Sequence, residues 1–169
     1  MTATLPLALA FPLRGSQLIE ASAGTGKTFT LATLFTRLVV EQGLRIGQIL
    51  AVTFTDAATQ ELRKRIRERL ALAARLVDLP PGDDETPDAA LTRQVLQRHL
   101  QDGTESAKAL KRRLQVAADE IDLAAIFTIH GFCTRVLREH ALESGHTFDP
   151  PELLASDREL LEELAADLW

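Results

Sequence analysis

Leu18-Ile19-Glu20-Ala21-Ser22-Ala23-Gly24-Thr25-Gly26-Lys27-Thr28 is the stretch on which the reading of this chain turns. A short apolar run enters a glycine-rich turn, and the turn closes on Gly-Lys-Thr. A phosphate-binding loop needs a small residue, four spacers and then Gly-Lys-Ser/Thr. Ala21 is the small residue, Ser22, Ala23, Gly24 and Thr25 are the spacers, and Gly26, Lys27 and Thr28 close the pattern. Glycine is required where backbone turns sharply and presses its N–H groups against oxygen anions. Lys27 is then placed to meet the β- and γ-phosphates as a point charge, and the Thr28 hydroxyl to join the shell of Mg²⁺. A helix starting at Gly26 or Lys27 would add the positive end of its dipole, about 0.3–1 kcal/mol at an exposed site. The stretch therefore predicts a strand over 18–20, a loop, a helix, and a nucleoside triphosphate held between them.

The chain-wide numbers set bounds on this. At 169 residues, 46% of them hydrophobic and 25% charged, the chain is long enough for one well-cored domain. Cys133 is the only cysteine, so no intrachain disulfide can form and a reducing, cytoplasmic compartment suits the composition. Residues 1–12 are apolar but have no Lys or Arg ahead of them, unlike a signal peptide. No run approaches the roughly 18 apolar residues of a membrane span. The net charge of −5 argues against a polyanion partner until its distribution is read. Residues 78–88 contribute −5 and residues 149–169 contribute −6, which leaves the rest of the chain at +6. A nucleic-acid site, if there is one, belongs on that basic remainder.

Working outward, Phe29, Leu31, Leu34, Phe35, Leu38 and Val39 recur at helical spacing and predict a helix over 27–42, ended by Gly43. Ile49 to Val52 is a continuous apolar run, the pattern of a strand buried on both faces. Strand, helix and strand in so short a span imply a parallel sheet. Thr55 or Asp56 can cap a helix running to Leu76, with Arg63, Lys64, Arg67 and Arg75 opposite its apolar side. Residues 79–87 read as a turn-rich loop, followed by polar helices near 89–100 and 105–119. A third strand is expected over 123–128, a helix over 131–140, and a last acidic helix over 152–169.

Two strand ends carry the same chemistry. Thr53-Phe54-Thr55 follows the second strand, and Thr128-Ile129-His130-Gly131-Phe132 the third. Open α/β sheets expose ligand-binding loops at the C-terminal ends of their strands. There a base could stack on Phe54, at about 1–3 kcal/mol, while Thr53 and Thr55 bond to phosphates. Thr128, His130 and Phe132 form a similar group. The plainer alternatives are core packing for either phenylalanine, a cap for His130, a solvated face for the basic helix and a small buried thiol for Cys133.

Taken together, the segments 18–30 (LIEASAGTGKTFT), 52–66 (VTFTDAATQELRKRI) and 126–133 (IFTIHGFC) resemble the UvrD/Rep class of superfamily-one helicases. Within it they are most similar to the RecB family, the helicase-nuclease beta subunits of bacterial exodeoxyribonuclease V. The resemblance runs from about Pro12 to Gly145. It implies an α/β fold of the P-loop NTPase kind: a RecA-like parallel sheet flanked by helices over residues 1–150, with a helical insertion about 77–120. Residues 151–169 would begin a helical subdomain. It also implies ATP and Mg²⁺ as cofactors, with Ala21 to Thr28 around them, and single-stranded and duplex DNA as substrates. Thr53, Phe54, Thr55, Thr128, His130 and Phe132 would lie on the DNA strand. RecC- and RecD-like subunits would complete a heterotrimer acting in double-strand-break repair and recombination, with no membrane involved.

Two departures from the family pattern stand out. Arg14 occupies the place where these helicases carry an adenine-reading glutamine, with Gln17 nearby as a substitute. No Asp-Glu pair follows an apolar strand, and hydrolysis in this class needs one, together with an arginine finger from a second motor domain. The chain is therefore expected to be a partial motor domain that binds nucleotide without turning it over. A small P-loop kinase and a non-catalytic nucleotide-binding module are the alternatives.

Overall fold

A computed structural model of the chain describes residues 6–20, 26–82, 85–144 and 157–167. It divides into two units, residues 1–129 and 130–169. In the first, a short helix α1 (Leu7–Ala10) precedes α2 (Lys27–Glu41), and a 3₁₀ turn (Ile46–Gln48) leads into strand β1 (Leu50–Thr53). Three long helices follow: α3 (Asp56–Leu76), α4 (Pro87–Gln101) and α5 (Ala107–Asp119). A second 3₁₀ turn (Glu120–Leu123) leads into β2 (Ala125–Thr128). β2 runs straight into α6 (Ile129–Glu139), and the second unit continues with α7 (Ala141–Ser144) and α8 (Arg158–Asp167).

The helices begin and end where local chemistry directs. Thr55, Thr86 and Ser106 each accept a hydrogen bond from the backbone N–H three residues on, capping α3, α4 and α5. Gly43, at φ +67°, turns the chain out of α2, and the Leu44 N–H closes the end on the Leu38 carbonyl at 3.3 Å. α3 is the spine of the unit, packing against α2, α4 and α5. Its Ile66, Leu70 and Ala73 are fully buried with Val39 and Val40 of α2, Val95 of α4 and Leu110 and Leu114 of α5. The helices that read as polar thus contribute some of the most enclosed side chains, because a narrow apolar stripe suffices once neighbours cover it.

Two buried arginines, Arg37 and Arg93, and the half-buried Arg113 tie these helices together. Arg37 on α2 pairs with Glu41 through two nitrogens, at 2.6 and 3.0 Å, and donates to the carbonyls of Ala8 and Phe11, which fastens α1. Arg93 on α4 donates to the Leu76, Leu79 and Pro80 carbonyls and pairs with Glu85, closing the loop after α3. Arg113 on α5 donates to the carbonyls of Val39 and Val40 and to Glu105.

β1 and β2 form a parallel pair, Leu50 opposite Ala125 and Thr53 opposite Thr128. The strands at 49–52 and 123–128 are thus present, as is the α/β class, with a sheet of two strands among the described residues. Three expectations need correction. Residues 18–20 form no strand, and Leu18 is 81% exposed. A glycine-rich loop favours extended backbone ahead of it, but a strand exists only where a neighbouring edge takes its hydrogen bonds. Leu50 and Val52 are exposed, so β1 is covered on one face rather than two. Cys133 is exposed on α6, a helix with no buried residue, because an apolar stripe is buried only where another element lies on it. Among the described residues no helix is long and apolar enough to cross a membrane.

Candidate functional site

The first turn of α2 carries the Gly-Lys-Thr of the phosphate-binding pattern. Gly26 is its N-cap at φ +80°, a left-handed conformation that only glycine adopts without strain. The Thr30 N–H bonds to the Gly26 carbonyl at 2.9 Å, the first ladder bond of the helix. Gly26 has no side chain with which to cap this end, and no acidic residue lies in the first turn of the helix. Its amides and the positive end of its dipole are therefore not neutralised by the helix's own side chains. Lys27 is exposed and Thr28 half-buried. Ala21, Ser22, Ala23, Gly24 and Thr25 lie outside the described residues.

This helix end opens into a cleft of about 640 Å³, a size that suits a nucleotide. Lys27, Thr28 and Phe29 line one side, and Arg65, Arg69 and Arg75 of α3 the other, with Asp88 of α4 at its edge. Four cations meet three carboxylates (Glu61, Glu68 and Asp88), so side-chain charge alone does not select an anion. Arg69 is 5% exposed; its guanidinium carbon sits 4.3 Å from the centre of the Phe29 ring, and it is ion-paired with Asp88. Burial lowers its pKa from the usual arginine value, and Asp88 opposes that shift.

The sequence did not single out Arg69. It occupies a place in the stripe Leu62, Ile66, Ala73 where helical periodicity asks for an apolar side chain. A cation at an apolar position of an otherwise regular stripe was the available signal.

At the strand ends, the structure brings Thr53 and Thr128 together as register partners. The Thr53 hydroxyl lies 2.5 Å from that of Thr59 and 3.2 Å from the Thr55 carbonyl, so it is engaged with the start of α3. Thr55 spends one lone pair on the Ala58 N–H, and its hydroxyl proton is not committed by that bond. Phe54, between them, is 87% exposed. His130 and Phe132 sit in α6, one exposed and one half-buried, and belong to the second unit. α6 begins at Ile129, so His130 and Gly131 lie inside its first turn rather than ahead of it.

The basic side of α3 is only partly a solvated face. Arg63 donates to the Ile126 carbonyl of β2 at 3.1 Å, and Arg67 pairs with Asp122 at 2.6 Å. Lys64 and Arg65 remain exposed, with carboxylates 3.8–3.9 Å away. Upstream of the loop, Gln17 donates to the Arg14 carbonyl at 3.4 Å, and both side chains are exposed.

The family of UvrD/REP helicase N-terminal domains matches residues 4–168. The chain belongs to that family. It is 40% identical to the RecBCD enzyme subunit RecB of Haemophilus influenzae, an alignment covering 100% of this chain and 14% of that protein. It is 42% identical to the RecBCD enzyme subunit RecB of Escherichia coli over 95% of this chain and 13% of that one. The subunit of the same name from Mycobacterium tuberculosis is 37% identical over 89% of this chain. The chain thus spans about one seventh of the length of these curated relatives.

Proposed function

We propose that the chain is the ATP-binding and single-stranded-DNA-binding amino-terminal segment of an ATP-dependent DNA helicase. In this reading it is part of an exodeoxyribonuclease V beta subunit that works with RecC- and RecD-like partners in double-strand-break repair and recombination. One observation carries the reading: α2 begins at a left-handed glycine with no capping side chain, and that end opens into a nucleotide-sized cleft in a UvrD/REP family chain.

The residues fit Mg²⁺-ATP. The amides around Gly26 and the Lys27 ammonium would hold the β- and γ-phosphates, and the Thr28 hydroxyl would be a ligand for the metal, whose chemistry there would be to offset phosphate charge. β1 is followed by Phe-Thr-Asp-Ala and β2 by Ile-His-Gly-Phe, so neither described strand is followed by an Asp-Glu pair. The chain by itself accordingly binds nucleotide and positions it, and the group that orients the attacking water comes from elsewhere. Phe54 offers a base its ring at the edge of the strand pair, with Thr55 beside it for a phosphate.

Two titrations test this. Calorimetry with Mg²⁺-ATP should show binding that Lys27→Ala abolishes. Anisotropy with a labelled single-stranded oligonucleotide should show binding that falls steeply with salt. Absence of nucleotide binding at millimolar ATP overturns the proposal. Binding of ATP with transfer of its phosphate to a small acceptor, and no DNA binding at low salt, makes the chain a kinase instead.

A further inference from the structure

The cleft is walled by a relay that starts at its edge. Asp88, in the first turn of α4, pairs with Arg69 on α3. The Arg69 guanidinium lies over the Phe29 ring, and Phe29 directly follows Thr28 in the first turn of α2. Thr92, one turn along α4, bonds to the Asp88 carbonyl at 2.8 Å and receives a long contact from Arg69 at 3.4 Å. A buried guanidinium is costly unless its charge and its donors are matched. Asp88 matches the charge, and the ring takes the flat face of the cation. The consequence falls on Phe29. One face of its ring is occupied by Arg69, while the side chain stays 42% exposed and lines the cleft. The ring has no hydrogen-bond donor to offer a phosphate. What it offers is a flat, apolar surface beside the phosphate end, with a cation behind it that favours an electron-rich partner in front.

We infer that Arg69, held by Asp88, is a positioning residue that fixes the Phe29 ring as the wall for the base of a bound nucleotide. The inference rests on the nucleotide reading of the cleft and adds the residue that selects nucleotide over bare triphosphate. It also links α4 to the site, since Asp88 of α4 holds the Arg69 guanidinium that lies over Phe29 in the first turn of α2. A stacking wall that is free to rotate discriminates less than one clamped from behind, so the relay acts on the base end of the ligand and leaves the phosphate end alone.

The test uses the 169-residue chain and two probes, Mg²⁺-ATP and Mg²⁺-tripolyphosphate, by calorimetry, with circular dichroism to verify folding. Arg69→Gln and Asp88→Asn should each weaken ATP about tenfold more than they change tripolyphosphate binding, and Arg69→Lys should recover part of that difference. Phe29→Leu, which keeps the apolar contact, should reproduce the ATP-selective loss, and adding Arg69→Gln to it should cost little more. Should Arg69→Gln fail to fold, Asp88→Asn and Phe29→Leu still decide. Equal weakening of both probes overturns the inference, because Arg69 would then act on the phosphates or on the fold. So does unchanged ATP binding in all three variants. The nucleotide reading itself fails separately, if the unaltered chain binds neither probe or Lys27→Ala binds both as tightly.

Discussion

Thr53 and Thr128 are the last register partners of the parallel ladder, so two threonines 75 residues apart in sequence stand side by side where the strands end. The Thr53 hydroxyl is turned into the contacts that start α3, and the next residue, Phe54, projects from the strand end almost wholly exposed. An aromatic ring left this open contributes almost nothing to the fold, so removing it isolates its role in binding. Phe54→Ala should leave the urea midpoint unchanged and weaken an oligonucleotide by about 1–3 kcal/mol, one stacked base. Anisotropy at two salt concentrations measures it. A loss that vanishes at high salt would mean that the ring was not stacking, since stacking is insensitive to ions.

Gly26 makes a sharper demand. A Cβ there would meet Phe29 Cβ at an ordinary 3.9 Å, so space is not the obstacle; the φ of +80° is. Gly26→Ala should therefore cost about 1–2 kcal/mol in stability. Alternatively the first turn of α2 rearranges to relieve the strain, and the phosphate end of the cleft changes with it. Urea unfolding and ATP titration on the same variant distinguish the two outcomes. A variant matching the unaltered chain in both would show that the left-handed turn is dispensable.

How far the sequence carried can be judged from these same residues. Gly43, Thr55 and the stripe Leu62–Ile66–Ala73 act over four or five neighbours, and the ends of α2 and α3 follow from them. The Gly-Lys-Thr at the head of α2 is legible for the same reason. What depends on distant partners was not legible. Residues 18–20 have strand composition, yet a strand needs an edge beside it. Leu50 and Val52 have the composition of a doubly covered strand, yet coverage depends on what packs there. Arg69 meets Phe29 forty residues away and Asp88 nineteen away, and no local pattern encodes either meeting.

Arg37 predicts a long-range effect on the same helix. Its side chain is 7% exposed and holds Glu41 in a two-point pair while donating to the carbonyls of Ala8 and Phe11. Arg37→Ala strands a half-buried carboxylate and two carbonyls at once. The expected loss is about 3 kcal/mol, read from the urea midpoint. Because α1 is fastened to α2 through this side chain, protease cleavage within residues 6–15 should accelerate in the variant. Destabilisation without faster cleavage there would mean that α1 has other fastenings.

Glu105 gives the chain a pH dependence whose sign is fixed. Its carboxylate accepts from Arg113, which also donates to the end of α2, and lies 3.1 Å from His99. The Arg113 hydrogen bond, first, lowers the Glu105 pKa below its usual 4.5, and burial opposes it. A carboxyl with a depressed folded-state pKa binds its proton more readily when unfolded. It contributes its full stability above the unfolded value and loses it as pH falls through the folded one. Glu105→Gln should therefore be less stable than the unaltered chain at pH 7, by an amount that stays level down to about pH 5. The difference should then narrow steadily as the solution is acidified further. Urea titrations across pH 3–7 measure both curves. A gap that stays constant to pH 3 would show that Glu105 remains charged throughout, or that the Arg113 tie does not depend on its charge.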